Sequence, residues 1–254
     1  VRVRDEFLSV AAHELKTPLT SLRGIAQLAL RRYQREEVPD PRRTRESLQI
    51  IEQQSGKLAR LVSQLLDVSR IEAGRLTIEP ELTDIVSLAK SAVAMVRTTI
   101  THHTIEVKGP VEEQIWALVD PLRIEQVLTN LIDNAIKFSP AGGSITVEVR
   151  QPADGAVVLS VQDRGVGIPE ASRKGLFERF YQAHPFRTPG ADPTMAGLGL
   201  GLYISRQIVD LHGGHIEAEF PREGGTRIVV TLPNDVSDRA PSGDVGARAE
   251  RPPP

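Results

Sequence analysis

His13 is followed at once by Glu14, and Thr17 and Pro18 stand one helical turn later in the same stretch, FLSVAAHELKTPLT. An imidazole accepts a phosphoryl group well when one ring nitrogen offers a lone pair and the other keeps a proton held by a carboxylate. Glu14 can supply that carboxylate. A solvated histidine beside a solvated glutamate is the plainer alternative for the pair taken alone. Pro18 has no N–H and clashes with the carbonyl of Glu14, so it is expected to interrupt its helix, at a cost of about 3 kcal/mol that implies a use for the bend.

Three later clusters carry different chemistry. In RIEQVLTNLIDNAIKFSP, residues 123–140, Asn130 and Asn134 are i and i+4 on one helical face with Lys137 a turn further. Amide oxygens are hard ligands for magnesium held by nucleotide phosphates, and a lysine balances phosphate charge; a merely wet helix face explains the spacing equally well. In DRGVGIP, residues 163–169, Asp163 ends an apolar run and enters a glycine turn through which a flat ligand could approach the backbone. In GLGLGL, residues 197–202, Gly197, Gly199 and Gly201 open an apolar helix and would expose N–H groups to a phosphate. Neither G-x-G-x-x-G nor G-x-x-x-x-G-K-[ST] is present there. The Pro- and Gly-rich HPFRTPGADPTMA before it reads either as a lid over a ligand or as a surface loop.

These residues need elements to hold them. Asp5, Leu8, Ala12, Leu15, Leu19, Leu22, Ala26 and Ala29 follow a heptad seam, as do Leu48, Ile51, Ser55, Leu58, Val62, Leu65 and Ser69. Pro39, Asp40 and Pro41 turn the chain between them, which makes an αα-hairpin. His13 falls one step off the seam and should face solvent. Leu61, Leu66 and Val68 widen the second apolar face, which a homodimeric four-helix bundle would cover; packing on the chain's own body is the alternative. Gly74 is a plausible helix stop. Beyond it, runs such as LTIEPEL (76–82), HTIEVKG, IWALVD, GSITVEVR, AVVLSVQD, HIEAEF and RIVVTLP alternate with helices near 84–99, 121–138 and 198–212. Adjacent strands mixed with helices argue for an α+β sandwich and against a doubly wound parallel sheet. The last residues, NDVSDRAPSGDVGARAERPPP, lack periodicity and are expected to be disordered.

Composition excludes more than it assigns. The 254 residues are 40% hydrophobic and 25% charged with a net charge of -2, so no basic field invites nucleic acid or an anionic membrane. There is no cysteine, hence no disulfide and no thiolate metal site. No run approaches the roughly 18 apolar residues of a spanning helix. A chain that opens at Val1 and not at Met reads as a piece of a longer protein.

FLSVAAHELKTPLT, with its His-Glu-x-x-Thr-Pro core, and DVSRIEAGRL at 67–76 closely resemble the phosphoacceptor helix pair of sensor histidine kinases. The three later clusters resemble the N, G1 and G2 boxes of that family, and LFERFYQ its F box, although Gln182 stands after Tyr181 where the family often has Arg or Lys. The resemblance implies a dimerisation and histidine-phosphotransfer hairpin over 1–74, forming the dimeric four-helix bundle. A GHKL (Bergerat-type) ATP-binding α+β two-layer sandwich would follow over 75–233, then a tail over 234–254. It implies ATP and Mg2+ as cofactors, with Asn130 and Asn134 on the metal, Lys137 on phosphate and Asp163 on the adenine amino group. Phe138, Gly165, Gly167, Gly197, Leu198, Gly199, Leu200 and Gly201 would complete the nucleotide site.

The implied reaction is autophosphorylation of His13, oriented by Glu14, then transfer to an aspartate of a response-regulator receiver domain. Thr17 would serve phosphatase activity toward that partner. The resemblance also implies a homodimer and a cytoplasmic setting, with a parent protein that could be membrane-anchored. A GHKL-type ATPase, as in gyrase, the MutL ATPase or a large heat-shock chaperone, and a phosphatase-biased scaffold without kinase output are the rival functions. His13 in its hairpin separates the first.

Overall fold

The computed structural model describes residues 2–35, 40–97, 102–109, 114–153, 155–182 and 198–234, with backbone alone for 2–10 and for 35. The expected tail, apart from Asn234, the HPFRTPGADPTMA segment and Gly197 lie outside the described residues.

Two long helices come first, α1 (Arg2–Arg35) and α2 (Pro41–Glu72). Asp40 caps α2 by accepting the Arg42 N–H at 2.9 Å, and Pro41, which needs no partner at the first helical position, follows it. The helix stops in a Schellman turn. Gly74 sits at φ +61°, its N–H reaches the Ile71 carbonyl at 3.0 Å, and the Arg75 N–H reaches Arg70 at 2.8 Å. One expectation fails here: α1 runs through Pro18 without a break. The missing N–H deprives only the Glu14 carbonyl, the Pro18 ring is buried, and the Thr17 hydroxyl donates to the His13 carbonyl at 3.2 Å.

The second unit contains β1 (Glu81–Asp84), α3 (Ile85–Arg97), β2 (His103–Lys108), β3 (Trp116–Val119), α4 (Pro121–Lys137), β4 (Gly143–Arg150) and β5 (Val157–Gln162). After a short 3-10 turn at Glu170–Ser172 come α5 (Gly201–Leu211), β6 (His215–Glu219) and β7 (Arg227–Leu232). Five strands form one sheet in the order β2-β4-β5-β7-β6, with β2 parallel to β4 and the remaining neighbours antiparallel; β1 and β3 make a separate antiparallel pair. Helices α3, α4 and α5 supply the second layer. Fully buried Ile85, Ile124, Ile132, Ile145, Leu159 and Ile208 lie between the layers. The strand expected over 76–82 starts only at Glu81, directly after Pro80, which has no N–H to give a ladder.

The hairpin shares its core with this unit. Leu61 and Val68, 5% and 2% exposed, belong to the same continuous apolar cluster as the sandwich, and Leu15, Leu65 and Ile71 pack against it. Their cover is therefore the chain's own body, not a second hairpin. Leu66 remains 53% exposed, as do Leu19 at 56%, Leu48 at 59% and Val62 at 43%.

Asp120 caps α4 and ties it to two neighbours. Its carboxylate accepts the N–H groups of Arg123 at 3.1 Å and Glu79 at 3.0 Å, while its own N–H donates to His212 Nε2 at 3.0 Å. His212 in turn uses Nδ1 on the Ile208 carbonyl, 2.7 Å away. Asp120→Ala leaves two part-buried N–H donors unmet and should lower the unfolding free energy by about 2 kcal/mol in urea titration. A change under about 0.5 kcal/mol would mean the cap is replaceable by water.

Candidate functional site

Helix α4 buries Ile124, Val127, Leu128, Leu131, Ile132 and Ala135 against the sheet, which leaves Asn130, Asn134 and Lys137 along one edge. Asn130 donates through Nδ2 to Ser205 Oγ at 2.8 Å, so its Oδ1 points to the start of α5. A Cβ on Gly201 would lie 2.1 Å from that oxygen. Any side chain at position 201 would displace the Asn130 amide.

The turn after β5 is held just as closely. Asp163 is 7% exposed, and its Oδ1 accepts the N–H groups of Gly165 at 2.8 Å and Thr226 at 3.2 Å. Both bonds fall on one oxygen, and Oδ2 has no protein partner among the described residues. Burial pushes the carboxyl above the usual carboxylate range, and the backbone bonds to Gly165 and Thr226 pull the other way. A Cβ on Gly165 would stand 2.0 Å from the Phe138 carbonyl, which also accepts the Val166 N–H at 3.0 Å. The Asp163 turn is thus pressed onto the end of α4.

Leu198 and Leu200, 2% and 1% exposed, anchor the loop before α5, so its backbone is the part left to face a ligand. Gly199 has φ +64°, and its carbonyl accepts the Phe180 N–H at 3.1 Å. A Cβ there would come within 2.6 Å of the Tyr181 carbonyl.

One cavity gathers these pieces. Asn130, Asn134, Lys137, Phe138, Asp163, Gly167, Leu198, Gly199, Leu200 and Gly201 all line it. Gly165 stands behind the wall as the bond donor to Asp163, and Gly197 is not described. His13, Glu14 and Thr17 lie outside the cavity on α1, with His13 and Thr17 exposed. Glu14 is nevertheless close enough to act on Lys137. Burial lowers the Lys137 ammonium to about 8, the Glu14 carboxylate resists that fall, and Lys57 on α2 adds to it. The Lys137 Nζ also sits 4.9 Å from the centre of the Phe138 ring.

Several wall residues escaped the sequence reading. Thr226 could have been suspected from the Gly-Gly pair before it. Tyr181 and Gln182 do border the cavity. Gln64 comes from α2, and nothing in a heptad pattern marks it. Among the described residues no three His, Asp or Glu side chains converge on a metal site. A divalent ion here would have to rest on amide oxygens and on oxygens of the ligand, which suits hard Mg2+ carried by phosphates.

Residues 3–74 match the His Kinase A (phospho-acceptor) domain, and residues 119–236 match the family described as histidine kinase-, DNA gyrase B-, and HSP90-like ATPase. The virulence sensor protein BvgS of Bordetella bronchiseptica is 36% identical over 235 residues, 91% of this chain and 18% of that protein. The sensor histidine kinase WalK of Bacillus subtilis is 32% identical over 233 residues, 91% of this chain and 36% of the relative. The chain therefore spans well under half the length of these relatives. Among solved structures, a mycobacterial sensor histidine kinase, MprB, superposes with a TM-score of 0.52 at 29% identity, over 61% of this chain and 98% of that one. The Acinetobacter baumannii histidine kinase AdeS superposes with a TM-score of 0.58 over 88% of this chain and 98% of that one; at 23% identity it speaks for the fold alone.

The Lys137 value sets a pH dependence for any anion in the cavity. Below about 8 the free site carries its ammonium; above it, binding must first recapture a proton. Calorimetric affinity for ATP should hold near neutrality and fall above pH 8, approaching about tenfold per pH unit. Lys137→Met should bind more weakly at neutral pH and lose that slope. Parallel curves for the two proteins would show that Lys137 does not meet the anion.

Proposed function

The chain belongs to the sensor histidine kinases, and on that premise we propose that it phosphorylates its own His13 from ATP and passes the phosphoryl group to an aspartate of a response-regulator receiver domain. Adenine would donate its amino group to Asp163 Oδ2. The phosphates would run toward Lys137 and the N–H groups of the 198–201 loop. Asn130 and Asn134 would hold Mg2+, whose chemistry is to neutralise charge on the transferring oxygens. The His13 lone pair would attack the γ-phosphorus as the bond to the ADP oxygen breaks, with Glu14 holding the other ring nitrogen.

The observation that carries this reading is the cavity that gathers Asn130, Asn134, Lys137, Asp163 and the glycines of the 199–201 loop. The Glu14 carboxylate beside His13 also supports the charge of Lys137 on the wall of that cavity.

Reversal is proposed for Thr17. Its hydroxyl is exposed and donates to the His13 carbonyl, yet it keeps lone pairs with which to hold a water for attack on the partner's phospho-aspartate. The reaction draws on cellular ATP and so belongs in the cytoplasm. Among the described residues no helix is long and apolar enough to cross a membrane.

Radiolabelled ATP tests the kinase claim directly. The chain should gain acid-labile label, and His13→Gln should gain none while binding ATP within about twofold of the parent, since acceptor and cavity are separate sites. Label persisting in the variant would refute His13 as acceptor, and ADP release without any protein-bound label would favour a plain ATPase.

We further propose that the exposed apolar residues Leu19, Leu48, Val62 and Leu66 pair with a second copy to complete the four-helix bundle. Val62→Asp with Leu66→Asp should leave a monomer in light scattering, because each copy would bring charge into a face worth about 2 kcal/mol per buried side chain. A dimer of unchanged strength would place the interface elsewhere.

A further inference from the structure

Asp67 is a carboxylate only 3% exposed, on the face of α2 that also buries Leu61 and Val68. It sits where the hairpin meets the sandwich, and α4 answers it with two donors. Arg123 Nη1 reaches Asp67 Oδ1 at 3.2 Å, and Gln126 Nε2 reaches Asp67 Oδ2 at 2.7 Å. Arg123 Nη1 also reaches Gln126 Oε1 at 2.9 Å, which closes a ring of three hydrogen bonds. Both carboxylate oxygens are used.

A buried ion pair is a poor source of stability. Its desolvation offsets most of its attraction, and apolar side chains would seal the same interface as well. What such a pair can add is register, because Leu61 and Val68 tolerate sliding and rotation while a closed hydrogen-bond ring does not. The partners on α4 matter for the same reason. Arg123 and Gln126 lie on one stripe with Asn130, Asn134 and Lys137, at steps of three and four residues, so a grip on the first two sets the rotation of the other three. Gln64, one turn before Asp67 on α2, borders the nucleotide cavity.

We propose that Asp67 is a positioning residue for phosphoryl transfer: by gripping Arg123 and Gln126 it fixes α4, and the nucleotide borne on it, against the helix pair that carries His13. The inference rests on the kinase reading above and deepens it. Asp67 touches neither nucleotide nor acceptor, and acts through the alignment of the two.

The test uses the whole chain and initial rates of acid-labile labelling against ATP concentration. Asp67→Asn keeps the shape and removes the charge; kcat should fall at least about tenfold with KM for ATP within about twofold, since small misalignment taxes the transfer and not nucleotide binding. Arg123→Ala should fall by a similar factor. The double variant should be no slower than the slower single, because both changes break one contact. Retained ATP affinity in each variant reports that the site is folded.

An unchanged kcat in Asp67→Asn would overturn the proposal, as would losses that multiply in the double variant. A rise in kcat would also overturn it, by showing that the contact restrains transfer. A fall in ATP affinity equal to the fall in kcat would make Asp67 a structural support of the nucleotide site. Absence of label in the parent chain would defeat the kinase reading itself, and this inference with it.

Discussion

Helix α4 has to satisfy three neighbours at once: the sheet beneath it, the cavity along its edge and the hairpin near its start. That is possible only if its rotation and its axial position are both set, and one residue does much of this. Asp120 caps the helix, takes the Glu79 N–H from the segment leading out of the hairpin, and is itself held by His212 at the end of α5. With the first turn fixed, a helical period of about 3.6 residues carries Asn130, Asn134 and Lys137 to the same edge without further help. The apolar face then locks the rotation by burying Ile124, Leu128 and Ile132.

The cavity depends on a second constraint, which is the absence of side chains. Backbone and side-chain atoms cross Gly165, Gly199, Gly201 and Gly225 at distances where a Cβ would meet an oxygen 2.0 to 2.6 Å away. The glycines thus bring the Asp163 turn onto α4, the 198–201 loop onto residues 180–181, and α5 onto Asn130. Their role in the fold is close approach, and any gift of N–H groups to a ligand is a consequence of it. Asp163 shows how such crowding becomes chemistry: two backbone N–H groups hold Oδ1, and the second oxygen is left for the cavity.

Local signals made much of this legible from the residues. An aspartate before a proline announces the starts of α2 and α4, glycine announces the end of α2, and a change of apolar period separates hairpin from sandwich. The misreadings share a different origin. The strand expected at 76–82 looked right by alternation, but ladder pairing needs an N–H that Pro80 lacks. Pro18 looked like a break, but a helix of this length loses only one bond to it. Leu61 and Val68 were given to a second hairpin because periodicity reports that a face is apolar and is silent about what covers it. Gln64, Thr226 and Asp67 come to matter only through contacts more than about 55 residues along the chain, and Asp67 in a heptad pattern looks like one more wet residue.

The interface between hairpin and sandwich is apolar in origin. Leu61 and Val68 are its fully buried members, and a buried Leu or Val contributes about 1.5 to 3 kcal/mol. The outlying ion pair between Arg179 and Glu72 is partly exposed and adds at most about 1 kcal/mol. The proposed function asks that this contact favour one arrangement and yet be left. The proposed cycle needs both, because His13 must meet nucleotide in one step and a receiver domain in the next, and the same face of α1 cannot be covered in both. The Schellman turn at Gly74 closes α2 with bonds that all fall within residues 69–75, so a separation in that proposed cycle would not have to unwind the helix. The polar ring around Asp67 then decides which arrangement is recovered on return: apolar surface alone would accept several, and three hydrogen bonds that close on one another accept one.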